Sequence, residues 1–384
     1  MGNTAMDRVP CSWCGAAVFA LLLGAVSSQN LMLCYYVPTS YFPVSDVPAD
    51  LCSHLVYSFG QITSTGIVPV RQSDLQRYRV LVGLKKKNPK LKVLLSLQKD
   101  FPSVVDAGTT VMENFSSSAV KFLTSNGFDG VDLDWEFPSG KQRNSYAAFI
   151  QIFNADLKKA GLLLSAALPN NPYSFKAGFD PGTLTREMDF MTVMAYDFHL
   201  YLAGRDNRTG YNSPLFTPKG ESKFLSTAAM VEYYKQVGIS ASKLLMGIPS
   251  YGRSWKLANA SQHGLHAPAT GKGDPSPYRH FKGLYLYPDV CMARQLGAAE
   301  VFDKENVASY LYTKNKDWVA FDSQDTVLAK VNFMKKLKLA GVGIWALHLD
   351  DVTGVCKAGP LPLLNEIKKA LQNYSNSTLA DSWK

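Results

Sequence analysis

Short apolar runs of strand length recur along the chain, at Leu31–Tyr36, His54–Phe59, Lys92–Leu97, Gly130–Glu136, Leu162–Leu168, Phe190–Tyr196, Leu244–Gly247 and Val342–Leu347. Between many of them lie helical patterns, at Ser73–Lys87, Met112–Ser125, Gln142–Ala160, Ser226–Val237 and Thr326–Leu339. Strands that alternate with helices argue for a parallel sheet, and eight such units predict an α/β fold closed into a (β/α)8 barrel over residues 29–372. The interval from Arg253 to Phe321, between the seventh and eighth strands, is too long for an ordinary connection. It predicts a small inserted α+β domain at 253–321. A helix near Leu361–Leu371 closes the pattern, and the polar tail 373–384 is expected to be disordered.

One run breaks the apolar rule. Phe128-Asp129-Gly130-Val131-Asp132-Leu133-Asp134-Trp135-Glu136-Phe137-Pro138 places four carboxylates within eight positions. Alternation along a strand puts Asp132, Asp134 and Glu136 on one face and Val131, Leu133 and Trp135 on the other. Side chains two apart stand roughly 7 Å apart, where like charges repel and raise at least one pKa. A carboxyl that keeps its proton near neutral pH is a general acid. A solvated acidic edge would not fill the alternate positions with large apolar residues. An EF-hand loop would have glycine at its sixth position, where Phe137 stands. Catalytic residues of these barrels sit at the C-terminal ends of strands, where Glu136 falls.

Composition adds a compartment. With 46% hydrophobic and 18% charged residues the chain is ordinary globular material. A lone Arg8 followed by the apolar run Gly15–Val26, with small residues at Val26 and Ser28, reads as a secretory signal peptide over residues 1–28. No later segment reaches the roughly 18 apolar residues of a membrane span. Of the six cysteines, Cys11 and Cys14 fall in that leader. Cys34, Cys52, Cys291 and Cys356 remain, four thiols that suggest two disulfides in an exported protein. Joining near neighbours is the simplest of the three pairings. Asn114, Asn207, Asn259, Asn373 and Asn376 head glycosylation sequons. The net charge of +9 is partly local, as at Lys85-Lys86-Lys87 and Lys335-Lys336. No aromatic interleaving or nucleic-acid motif accompanies these runs, so they read as solvated helix faces. No metal-ligand spacing or phosphate loop is present, and no cofactor, nucleic acid or membrane partner is expected.

The run Asp129–Glu136 resembles the Asp-Gly-x-Asp-x-Asp-x-Glu signature of family 18 glycoside hydrolases, the secreted animal chitinases and chitinase-like proteins. Leu51–Phe59 is similar to that family's second strand, Met194-Ala195-Tyr196-Asp197 to the sixth, Gly247–Arg253 to the seventh and Gly343–Ala346 to the eighth. Asn212-Ser213-Pro214-Leu215 is similar to the loop after the sixth. The resemblance implies a monomeric enzyme that hydrolyses β-1,4-linked N-acetylglucosamine in chitin or chitooligosaccharides by a substrate-assisted retaining route. It implies Glu136 as acid, Asp134 as the group that orients the substrate acetamide, Asp132 as its charge-sharing neighbour and Asp129 as support. Tyr196 would bond the acetamido carbonyl, Asp197 a sugar hydroxyl, and Trp345 would floor the groove. Tyr35, Phe59, Met194, Tyr251 and Arg253 would complete the binding surface. Non-proline cis peptides are implied at Ser58-Phe59, Glu136-Phe137 and Trp345-Ala346.

Departures from the family pattern point to a thinner binding rail. Ser96-Leu97-Gln98-Lys99-Asp100 stands where the family has Ser-x-Gly-Gly-Trp, with Lys99 placed to intrude on the groove. Tryptophans are also missing within Val37-Pro38-Thr39 and Phe198-His199-Leu200-Tyr201. Three lost stacking contacts at about 1 kcal/mol each weaken polymer binding roughly a hundredfold. His348 replaces an aspartate common in the family and is expected to add a titratable positive charge beside the carboxylates. A lectin-like member that binds saccharide without turnover is the alternative reading.

Overall fold

The computed structural model describes residues 1–2 and 30–373. Residues 3–29 and 374–384 lie outside the described residues, and with them most of the segment expected to be a signal peptide and nearly all of the polar tail. Fifteen strands follow in chain order: β1 Leu31–Tyr36, β2 His54–Thr63, β3 Gly66–Pro69, β4 Lys92–Leu97, β5 Gly130–Leu133, β6 Leu163–Leu168, β7 Phe190–Val193, β8 Leu244–Pro249, β9 Tyr251–Leu257, β10 Ala269–Lys272, β11 Leu284–Leu286, β12 Ala299–Asp303, β13 Ala308–Tyr312, β14 Asp317–Phe321 and β15 Gly341–Trp345. The order β1-β15-β8-β7-β6-β5-β4-β2 closes through a β1–β2 pairing into an eight-stranded parallel barrel, and β3 folds back on β2 as a hairpin. A (β/α)8 barrel is therefore the fold.

Alternation along the strands separates two cores. Leu33 and Tyr35 on β1, Val56, Leu94, Phe190 and Leu245 belong to one cluster, in the barrel interior. Cys34, Tyr36, Leu55, Tyr57, Leu95 and Leu97 point the other way, into the larger cluster beneath the helices. The β5 strand crosses its neighbours at very close range. A Cβ at Gly130 would lie 2.4 Å from the Leu163 carbonyl oxygen, so only glycine fits there.

The residues from Tyr251 to Phe321 form a second, antiparallel sheet, β10-β9-β14-β13-β12 with β11 on β9, plus the helix Tyr287–Gln295. It begins two residues before Arg253, since β8 runs almost directly into β9. The two bridges join Cys34 to Cys52 and Cys291 to Cys356, the near-neighbour pairing. Among the described residues no helix is long and apolar enough to cross a membrane. Asn114, Asn207, Asn259 and Asn373 are exposed.

Lys330, on the helix Gln324–Lys336, is fully buried and ties the elements together. Its Nζ lies 2.7 Å from Asp322 Oδ1 and 2.7 Å from Ser213 Oγ. The Ser213 hydroxyl in turn donates to the Ala195 carbonyl at 2.6 Å, one residue before Tyr196. Removing one partner of a buried ion pair strands the other charge. Lys330→Ala is expected to lower unfolding stability by about 3–5 kcal/mol in urea titrations. A replacement that removes both Lys330 and Asp322 in favour of apolar residues is expected to recover most of that loss.

Candidate active site

Sheet register builds the centre of the site. Ser96 on β4 and Ser165 on β6 flank Asp132 on β5 as direct partners. Their hydroxyls donate to Asp132 at 2.8 and 2.7 Å, and Tyr35 Oη adds a third bond at 3.2 Å. Asp132 is only 1% exposed. Burial raises its pKa even against those three bonds.

The strand stops at Leu133, three residues short of the expected end, and likewise at Val193 rather than Tyr196. The neighbouring ladders end there too, after a last bond from Asp134 N to Leu97 O and from Met194 N to Leu168 O. Freed from the ladder, Asp134 and Glu136 stand at the C-terminal mouth of the barrel. The opposite face keeps the predicted alternation, with Trp135 stacked on Phe101 at 4.9 Å and edge-on to Tyr146 at 5.0 Å. All three non-proline cis peptides are present where they were expected.

A cavity of about 380 Å³ opens over this mouth, lined by Asp134, Glu136, Tyr35, Met194, Tyr196, Asp197, Tyr251, Arg253 and Trp345. Burial holds the Asp134 carboxyl well above its ordinary pKa, and the charges of Asp132 and Glu136 push in the same direction. Glu136 is raised too, first by burial; an amide from Gln98 pulls it down and the Asp197 charge pushes it up. Desolvation, rather than the like-charge repulsion expected from the spacing, is thus the larger cause. Asp134 Oδ1 is buried with no hydrogen-bond partner.

The second strand of positions frames the cavity. Asn170 donates to the Tyr196 carbonyl at 2.7 Å. Asp197, held at φ 58°, donates its backbone N–H to Asn212 Oδ1 at 3.0 Å, and the Asn212 amide nitrogen donates to the Tyr251 carbonyl at 3.1 Å. Arg253 reaches in from β9 and grips Asp197 with two bonds of 2.6 and 2.8 Å. Such a bidentate fork fixes both orientation and charge.

Residues 31–350 match the family described as Glycosyl hydrolases family 18. The chain belongs to this family. Similar members include mouse (Mus musculus) chitotriosidase-1, 35% identical over 94% of this chain and 82% of the relative. Human (Homo sapiens) chitinase-3-like protein 2 is 32% identical over 97% of this chain and 99% of the relative. Among solved structures, human YKL-39, described as a pseudo-chitinase with retained chitooligosaccharide-binding properties, superposes with a TM-score of 0.84 at 29% identity, covering 90% of this chain and all of that one.

Several expected site residues stand outside the central cavity. Phe59 is one. It stacks on Trp345 at 5.9 Å and faces a second cavity of about 360 Å³ that Gln98, Lys99 and Arg71 also line. Asp129 lies at the other end of β5, where it accepts from Val93 N at 2.8 Å and Lys85 Nζ at 2.9 Å. Lys85 is therefore an ion-pair partner rather than a solvated charge. Gln98, not Lys99, reaches the carboxylates, with its Nε2 3.3 Å from Glu136 Oε1. His348 does line the central cavity, yet its burial lowers its pKa to about 4 and leaves the ring neutral at physiological pH. Ser165 and Asn170 carry no sequence signal of their own, and the motif that holds Ser96 gave it no role. Only their register or place beside strand ends marks them.

The neutral His348 has a consequence for stability. In the unfolded chain a histidine titrates near 6.5. Protons therefore bind the unfolded state first as pH falls, and stability present above about 6.5 is lost as pH drops through the folded value of about 4. His54, also lowered to about 4 by burial and by Lys92, works in the same direction. Urea midpoints measured across this window are expected to fall, and His348→Asn is expected to flatten the slope by up to about 1.4 kcal/mol per pH unit.

Proposed function

We propose that this chain is a secreted, monomeric chitinase-type glycosidase that cleaves β-1,4-linked N-acetylglucosamine oligomers with retention of configuration. The observation that carries the reading is the position of Glu136. Its carboxyl stands at the barrel mouth with a raised pKa, beside the buried Asp134 and above an aromatic floor. Glu136 transfers its proton to the glycosidic oxygen as the C1–O bond breaks, and the substrate's own acetamido oxygen attacks C1. The Glu136 carboxylate then accepts a proton from the water that opens the oxazolinium-like intermediate.

Asp134 suits the acetamido N–H, because its buried Oδ1 is an acceptor in want of a donor. Tyr196, lining the same cavity, suits the acetamido carbonyl, and Asp197 with Arg253 suits the hydroxyls of a neighbouring ring. Trp345, with Tyr35 at 5.3 Å behind it, offers the flat apolar surface that a sugar face needs. Asp132, behind Asp134, shares charge or a proton with it. The leader-like segment, the two bridges and the exposed sequons support export.

A lectin-like role is the second reading. The observation that favours it is Gln98, which stands where the family pattern has glycine and touches the proposed acid.

Hydrolysis of a fluorogenic chitotrioside by the mature protein, beside its Glu136→Gln variant, separates the two. The expected result is turnover that falls about 10²- to 10⁴-fold in the variant while oligosaccharide binding persists. Equal turnover in both proteins would remove Glu136 from the mechanism. Absence of turnover in both between about pH 2 and 8, with binding intact, would establish the lectin-like reading.

A further inference from the structure

Two cavities open at the barrel mouth, and two contacts join their linings. Phe59 faces the second cavity and stacks on Trp345, which floors the first. Gln98 faces the second cavity and donates from Nε2 to Glu136 Oε1, which faces the first. Among the described residues that amide is the side chain that hydrogen-bonds the Glu136 carboxyl. Gln98 directly follows β4, whose Leu97 pairs with Leu133 of β5, so its side chain emerges beside the carboxylate-bearing turn.

An amide N–H favours the ionised form of a carboxylate that accepts from it, and here it opposes burial. The state it favours is the wrong one for a general acid, which must start protonated. A saccharide long enough to occupy both cavities has to cross the Gln98–Glu136 contact.

We propose that Gln98 is a positioning residue whose amide favours the ionised form of Glu136 in the empty groove, and that a saccharide spanning both cavities displaces the amide and lets Glu136 take a proton from solvent more readily. The acid is then armed by substrate length. This rests on Glu136 being the acid, as argued above, but its test does not require turnover.

The test is a carbon-detected NMR titration of the Glu136 carboxyl in the full mature chain, with and without saturating chitotetraose, repeated in Gln98→Ala and Gln98→Met. In the unsubstituted protein the midpoint is expected to move to higher pH when the saccharide binds. In the free variants it is expected to lie already at that higher pH, and to move little on binding. Gln98→Met keeps the bulk without the N–H, so a shift in Gln98→Ala alone would assign the effect to space and overturn the proposal. An unchanged midpoint in both variants would overturn it as well.

Where turnover is measurable, the alkaline limb of kcat/KM, which reports the free enzyme, is expected to lie below that of kcat, which reports the complex. The two limbs are expected to converge in Gln98→Ala. Activity that survives Glu136→Gln would remove Glu136 as the acid while leaving the titration result intact.

Discussion

An ionised carboxylate taken from water into a barrel interior loses several kcal/mol of solvation unless hydrogen bonds replace what the solvent gave. The Asp132 carboxyl is buried there, and Ser96, Ser165 and Tyr35 aim donors at it from three different strands. The register of β4, β5 and β6 is therefore a condition of the chemistry as well as of the fold. A slip by one residue would turn Asp132 into the apolar layer beneath the helices and Leu133 into the site. Gly130, two residues earlier, lets β6 approach closely enough for that register to hold.

Outward from this centre, the site is assembled by parts of the chain that lie far apart in sequence. Arg253 belongs to the second sheet, yet it fixes Asp197 at the end of the sixth barrel strand. Asn212 bridges Asp197 to Tyr251, and its neighbour Ser213 is held by the buried Lys330. The inserted sheet is thus a wall of the groove rather than an appendage. Its first strand follows β8 almost without a loop, which leaves Arg253 little freedom to be anywhere else.

Much of this was legible beforehand because strand periodicity and a dense motif report the same thing. The eight barrel strands, the inserted interval and the row Asp132, Asp134 and Glu136 all follow from alternation and spacing. What escaped is what depends on neighbours across the sheet. Ser165 is an unremarked serine, and Ser96 only the first residue of an altered motif, until pairing sets them against Asp132. The charge state of His348 was misjudged because a sequence carries no burial, and burial outweighs the intrinsic basicity of the ring.

The bridge between Cys291 and Cys356 spans 65 positions of sequence. Inside that covalent ring lie β12, β13, β14, the Lys330 helix and β15 with Trp345. A single proteolytic cut anywhere within the ring, for example at the exposed turn around Asn315, therefore leaves two fragments that cannot separate while the bridge is oxidised. In a protease-rich setting, the floor of the groove would outlast the continuity of its own backbone.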